Sequence, residues 1–131
     1  MNIHEFQAKQ ILKSYGVAIQ EGIVADTPEG AVQAAKDIQA QTGSSWVVLK
    51  AQIHAGGRGK GKIVGSEQRG VAVAKNLDDV SNIAKNLLGN TLVTIQTGPK
   101  GKKVNSVLVA EDVFYPGESE PKEYYMSVLL D

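Results

Sequence analysis

The chain has 131 residues, of which 42% are apolar and 21% charged, and its 14 basic and 14 acidic side chains give a net charge of zero. This composition is typical of one globular domain, or of a fragment of a larger one, and the balanced charge argues against a general nucleic-acid-binding protein. The absence of cysteine excludes disulfides and thiolate metal sites. No apolar run approaches the roughly 18 residues of a membrane helix, and the first ten residues lack the apolar core of a signal peptide. We therefore expect a cytoplasmic protein that binds neither membrane nor nucleic acid.

Three helices are predicted from apolar spacing and from the residues that flank each segment. The first ends before Gly16, which suits a left-handed cap. The second follows Thr27, an N-cap residue, with proline at the first helical position. The third runs from a cap at Asn76 to Gly89 and has the clearest amphipathic pattern. The first two segments are residues 4–15 and 28–41.

Extended segments alternate with these helices, which predicts an α/β protein of the α+β type with helices packed on a mixed or antiparallel sheet. We expect segments 92–96 and 104–110 to pair as a hairpin around a polar turn. Because the chain stops directly after the last predicted strand, we expect a truncated larger domain. The predicted strands are residues 17–25, 46–51, 62–64, 70–74, 92–96, 104–110 and 123–130.

The stretch 46–62 is the strongest functional signal from residue chemistry, and its sequence is WVVLKAQIHAGGRGKGK. Backbone without Cβ atoms can wrap closely around an oxyanion, and the cations between the glycines supply counter-charge. Lys50 stands at the end of a strand just before this loop. It is either a candidate phosphate ligand or an ordinary lysine that extends into solvent. Because short strands flank the loop, we predict a hairpin tip that binds phosphate.

Other readings of these residues fit less well. A Walker loop needs a hydroxyl where Ile63 stands, and both it and the dinucleotide fingerprint need a helix after the glycines. Arginine-glycine tracts that bind RNA lie in disordered sequence. His4 and His54 lack a second metal-type neighbour at ligand spacing, so packed or hydrogen-bonded imidazoles are predicted. From residue chemistry alone, the carboxylates after position 110 are predicted to be solvated side chains.

Several segments nevertheless resemble one family closely, and they follow one another in order along essentially the whole chain. They are MNIHEFQAKQILKSYGV, WVVLKAQIHAGGRGKGK, LVTIQT and KKVNSVLVAEDV through KEYYMSVLLD. Together they resemble the start of the β subunits of succinyl-CoA synthetase, the ADP-forming succinate–CoA ligase, which are considerably longer. The resemblance implies an ATP-grasp N-terminal region. Residues of about 17–110 would form the small nucleotide-lid subdomain, and 1–16 and 111–131 would belong to, or lead into, the larger one.

The resemblance also implies roles for individual residues. Lys50 matches the strand lysine that contacts the nucleotide phosphates, and Gly57, Arg58 and Gly59 match the loop that closes over them. Glu123 matches a carboxylate near the ribose. These are expectations for ATP or ADP as the bound nucleotide.

At the hinge that reads the base, the chain departs from many relatives. They have glutamate directly after the LV pair, whereas here Ala110 stands there and Glu111 follows. The main chain of residues 110–113 matches the hinge. Either Glu111 or the backbone alone is therefore expected to serve the adenine.

In such an enzyme the nucleotide and Mg²⁺ act with a phosphohistidine on a partner α subunit. The reaction links succinate, CoA and ATP to succinyl-CoA, ADP and phosphate in the tricarboxylic acid cycle. The resemblance places the metal ligands beyond Asp131 and the catalytic histidine on the partner, so it is neither His4 nor His54. We therefore expect no catalytic residue and no metal ligand in this chain, which should be inactive alone. The alternatives are a related acyl-CoA ligase such as malate–CoA ligase, and a non-catalytic nucleotide-binding or subunit-docking module.

Overall fold

The computed structural model describes residues 2–114 and 119–130. Within these ranges the chain forms three helices and seven strands. The helices are α1 (Glu5–Ser14), α2 (Pro28–Thr42) and α3 (Leu77–Leu87). The strands are β1 (Gly22–Ala25), β2 (Val47–Ala51), β3 (Lys62–Ile63), β4 (Val71–Ala74), β5 (Thr91–Val93), β6 (Lys102–Lys103) and β7 (Val107–Glu111).

The ends of α2 and α3 are determined by the capping residues that the sequence predicts. The hydroxyl of Thr27 accepts a hydrogen bond from the Gly30 amide at 3.0 Å, and the side chain of Asn76 accepts one from the Asp79 amide at 2.8 Å. Gly43 ends α2 with φ +73°, a backbone conformation that residues with a side chain rarely adopt. The three predicted helices are therefore confirmed, with shifts of a few residues at their ends.

Four antiparallel strands form the main sheet in the order β1-β7-β2-β4, which we call sheet A. Helices α2 and α3 pack on one of its faces and enclose the apolar core, in which Ile38 and Leu49 are fully buried. Strand β7 lies between β1 and β2, with Leu108 opposite Lys50. The antiparallel sheet and the helices packed on it confirm the predicted fold class.

A second sheet, sheet B, has three short strands in the order β3-β5-β6, and its pairing corrects two predictions. Strand β5 pairs with β6 rather than with segment 104–110, because β7 enters sheet A and buries Val107 and Val109 in the core. The glycine-rich loop is also not a hairpin tip. It connects β2 of sheet A to β3 of sheet B. Within sheet A, β2 pairs with β7 on one side and with β4 on the other, both antiparallel.

The strand predicted at residues 123–130 is likewise wrong. The segment is irregular, and its side chains are largely exposed. A strand is stabilised by hydrogen bonds to a neighbour, and no strand of the described residues pairs with this one. Of the predicted segment 17–25, only the last four residues form a strand.

None of the helices among the described residues has the length and apolar character that a membrane span requires.

Candidate functional site

The site is built on the face of sheet A that α2 and α3 leave uncovered, which we call the site face. Because side chains alternate along a strand, β2 directs Val47 and Leu49 into the core and Lys50 to the site face. Leu108 pairs with Lys50 and lies beside it on the same face. The lysine that the sequence singles out is therefore held by the central part of the sheet.

The ammonium group of Lys50 is bound to two acceptors from the N-terminal part of the chain. Its Nζ donates to Oε1 of Glu5 at 3.0 Å and to Oε1 of Gln20 at 3.3 Å. Only 20% of the lysine side chain is exposed. Lys50 is thus a fixed, partly desolvated cation and not a flexible surface lysine.

Arg58 of the glycine-rich loop reaches the same carboxylate. One guanidinium nitrogen donates to Oε2 of Glu5 at 2.8 Å, and the other donates to the carbonyl of Ala51 at 2.8 Å. Lys9, one turn after Glu5 on α1, lies 3.3 Å from Oε1. We call Glu5, Lys9, Lys50 and Arg58 the Glu5 cluster; it joins α1, β2 and the loop and has three positive charges around one negative charge.

The environment of the cluster shifts the pKa values of Glu5 and Lys9. Burial alone would raise the pKa of Glu5, but hydrogen bonds from Lys50 and Arg58, together with their positive charges, lower it from the usual 4.5 to about 2. Burial and the nearby Lys50 ammonium lower the pKa of Lys9. At neutral pH the carboxylate of Glu5 is therefore ionised, and the cluster has an excess of positive charge.

The glycine-rich loop is anchored at both ends and open in the middle. The Gly56 amide donates to Oε1 of Gln96 at 2.6 Å, and Gly57 has φ +76°. Gly61 lies against sheet B, since a Cβ there would be 2.7 Å from the carbonyl of Val93. A Cβ on Gly59 would meet nothing within 4 Å. The backbone beside Arg58 is consequently accessible to a ligand.

A cleft of about 520 Å³ adjoins the cluster, within the size range of small-molecule sites. Glu5 and Arg58 line it, together with Asn2, Ile3, residues of the loop and Gln96. A second hollow, of about 330 Å³, lies on the other side of α1 and is lined by Lys9, Gln20 and Leu108 among others. The Glu5 cluster therefore stands between two concave surfaces of the site face.

His4 and His54 stack beside the first cleft. Their ring centroids are 3.9 Å apart at an angle of 13°, and Phe6 stacks on His4 at 5.8 Å. Burial and the charges of His54 and Arg58 lower the pKa of His4, whose Nδ1 is buried without a hydrogen-bond partner among the described residues. The packed imidazoles predicted from the sequence are therefore present as a stack of the two rings.

The predicted site residues are only partly brought together. Lys50 and Arg58 meet at one carboxylate, with Gly57 and Gly59 on either side of Arg58. The carboxylate of Glu111 instead accepts a hydrogen bond from the amide of Glu21 at 3.0 Å, and the Glu111 carbonyl accepts one from Gln20.

Glu123 lies exposed in the irregular segment. Residue reasoning missed Glu5, Lys9 and Gln20 as members of the site. Glu5 lies in the segment MNIHEFQAKQILKSYGV, which contributes to the family resemblance but predicts no role for this residue. Its spacing of four residues from Lys9 was the one local sign of an ion pair.

Comparisons with known proteins identify the family of the chain. The sequence profile of the ATP-grasp domain matches residues 2–131. Over all 131 residues the chain is 60% identical to a protein of Flavobacterium johnsoniae, 57% identical to one of Christiangramia forsetii and 52% identical to one of Bacillus cytotoxicus. Each of these proteins is named succinate–CoA ligase (ADP-forming) subunit beta. The chain spans only 31%, 31% and 30% of their respective lengths. The resemblance drawn from the sequence motifs is thus confirmed.

Proposed function

We propose that this chain, which belongs to the ATP-grasp domain family, forms one wall of the nucleotide site in an ATP-dependent acid–CoA ligase. The names of the relatives support the more specific proposal that the chain is the N-terminal part of a succinate–CoA ligase β subunit. The complete enzyme would convert succinate, CoA and ATP to succinyl-CoA, ADP and phosphate in the cytoplasm. It would do so as a heteromer with an α subunit that contains the phosphohistidine.

The observation that carries this proposal is the convergence of Lys50 and Arg58 on one anion. The two cations come from a strand end and from a loop, yet both donate to the carboxylate of Glu5 at 3.0 and 2.8 Å. A phosphate oxyanion uses the same charge-assisted donors, and a guanidinium suits it particularly well. The open backbone at Gly59 would let the loop approach the phosphates closely.

Residues of about 17–110 are proposed to form the small nucleotide-lid subdomain. This range contains both sheets, α2 and α3, and all of the apolar core. By contrast, α1 has no buried residue, and residues 124–130 are exposed. Residues 1–16 and 111–131 would then belong to the larger subdomain or lead into it. Mg²⁺ would be held by residues beyond Asp131, with no ligand from this chain.

The adenine is proposed to bind at the hinge formed by the main chain of residues 110–113. The carboxylate, amide and carbonyl of Glu111 all make hydrogen bonds to Glu21 or Gln20, so reading of the base by either the Glu111 side chain or its backbone would require exchange of one of these bonds. Glu123 is proposed to approach the ribose.

Titration of the 131-residue chain with ATP and ADP tests the nucleotide site. We expect a dissociation constant above about 10 μM, because only one wall of the site is present. Lys50→Gln and Arg58→Gln should each weaken binding at least about tenfold, while Lys62→Gln should leave it unchanged. Lys62 is a suitable control because it is an exposed cation near the same loop, paired with Glu67. Equal affinity in all four proteins would contradict the proposal.

The acid substrate is tested on the complete ligase with its α subunit. Activity with succinate and not with malate supports the proposal, whereas activity with malate alone would identify the related malate–CoA ligase. A dissociation constant well below about 10 μM for the isolated chain would instead favour a self-contained nucleotide-binding module.

A further inference from the structure

We propose that Glu5 is a built-in anion that occupies the phosphate-binding pair Lys50–Arg58, and that a nucleotide must displace it and thereby release α1 from the site face. This inference rests on the proposed function. It adds a competitor from within the chain to the site that the nucleotide would use.

The geometry gives Glu5 the position of a ligand. Its two carboxylate oxygens divide the cations between them, since Oε1 accepts from Lys50 and Oε2 from Arg58. The remaining contacts of these cations go to uncharged acceptors, the Gln20 side chain and the Ala51 carbonyl. Glu5 is therefore the anion that satisfies the charge of both residues. A phosphate group that approached the same donors would meet it directly.

Electrostatics makes shared occupancy unfavourable. With its pKa near 2, Glu5 remains a carboxylate throughout the neutral range and is not removed by protonation. A phosphate carries at least one further negative charge, and two like charges at contact distance repel strongly in a partly buried site. Movement of the carboxylate is consequently the available way to admit the phosphate.

Helix α1 has the weak attachment that such a displacement needs. None of its residues is buried, and it exposes Ile11, Leu12 and the nearby Tyr15. Its polar contacts outside the Glu5 cluster include the Phe6 amide, which donates to Gln52 at 3.3 Å, Lys9, which donates to Gln20 at 2.9 Å, and the ion pair of Lys13 with Glu21 at 3.2 Å. Glu5 is the first residue of the helix. Its release would therefore free the first turn of α1 from the sheet.

A positioning role for Glu5 predicts the opposite effect on binding. If Glu5 only held Lys50 and Arg58 in place for the nucleotide, its neutralisation would weaken phosphate binding. If it competes, neutralisation strengthens binding. The sign of the change therefore distinguishes the two roles.

The test uses inorganic tripolyphosphate and ATP as ligands of the 131-residue chain, by calorimetry at constant ionic strength. Glu5→Gln keeps the size of the side chain and removes its charge, so it should bind tripolyphosphate about tenfold more tightly than the parent chain. Glu67→Gln, which neutralises an exposed carboxylate paired with Lys62, should bind as the parent does. Glu5→Asp should also stay close to the parent, since it retains the charge.

Hydrogen exchange of the parent chain gives a second measurement that needs no variant. Saturating tripolyphosphate should accelerate amide exchange in α1 while leaving β2 and β7 protected, whereas matched sodium chloride should not. Unchanged or slower exchange in α1, or weaker binding by Glu5→Gln, would overturn the proposal. If tripolyphosphate binding requires Lys50 while Glu5→Gln binds no more tightly and exchange in α1 is not accelerated, only the role of Glu5 is refuted. If binding does not depend on Lys50 and Arg58, the proposed phosphate site itself is refuted.

Discussion

The two faces of sheet A are covered by helices in physically different ways. On one face, α2 and α3 bury a continuous apolar core that includes Ile38 and Leu49. On the site face, where Leu108 is buried, no residue of α1 is itself buried, and the helix is held in part by the ionic Glu5 cluster, the Lys13–Glu21 ion pair and polar hydrogen bonds. Apolar burial depends little on anions, whereas ion pairs are open to competition from them. The same sheet therefore has one covering that stabilises the fold and another that a polyanion can compete with.

Truncation of a core residue should have the largest effect and should define the apolar face. Ile38 of α2 is fully buried, so Ile38→Ala should lower the free energy of unfolding by about 2–5 kcal/mol. Urea unfolding measures this change. Ile38→Val, expected to cost about 0.5–1.5 kcal/mol, gives a graded comparison if the alanine variant does not fold. A loss below about 0.5 kcal/mol would contradict the assignment of the core to this face.

Acid should weaken the attachment of α1 before it disrupts the core. Glu5 has a folded-state pKa lowered to about 2, so its contribution is complete above pH 4.5 and is lost as the pH falls through about 2. For this half-buried carboxylate, solvent screening reduces the stabilisation at neutral pH to on the order of 1–3 kcal/mol. NMR shifts of the α1 amides should therefore change between pH 4.5 and 2 in the parent chain.

Glu5→Gln is the matched control for the acid titration. In this variant the α1 shifts should already be displaced at pH 7 and should change much less over the same pH range. Equal titration curves in both proteins would mean that other carboxylates control α1. The ionic description of the site face would then be wrong.

How much could be predicted from the sequence depends on how far apart in the chain the interacting residues lie. Caps such as Thr27 and Asn76 act within three residues, and the helices they begin were predicted correctly. Strand partners depend on distant segments, so the pairing of β7 with β1 and β2 was not foreseen from a local hairpin pattern. Sequence identified Lys50 and Arg58 through the motif. It did not identify Glu5 as their partner, because the contacts span 45 and 53 residues of the chain.

A substitution where sheet B meets the loop should affect both stability and the site. A Cβ on Gly70 would lie 2.8 Å from the Arg58 carbonyl and 2.6 Å from Cδ2 of Leu92. Because the backbone carbonyl cannot move independently, Gly70→Ala should cost about 1–3 kcal/mol and displace Arg58. Urea unfolding and tripolyphosphate titration should both show a loss.

Gly59→Ala is the control for this effect, since its Cβ would meet nothing within 4 Å. It should leave stability nearly unchanged. Under the proposed function it should still weaken tripolyphosphate binding, because a methyl group would stand at the open part of the loop. A large stability loss in Gly59→Ala, or none in Gly70→Ala, would contradict the described packing of the loop.

The smallest effect is expected on the outer side of α1, where Ile11 is 52% exposed. Ile11→Ala removes the same atoms as Ile38→Ala but should change the free energy of unfolding by less than about 0.5 kcal/mol. Alanine also favours the helix, which offsets part of any lost contact. Parallel urea unfolding of the two variants compares an exposed position on α1 with a buried position on α2 by one type of substitution. A loss above about 1 kcal/mol for Ile11→Ala would show apolar anchoring of α1, and polyphosphate could then displace Glu5 only by also breaking that packing.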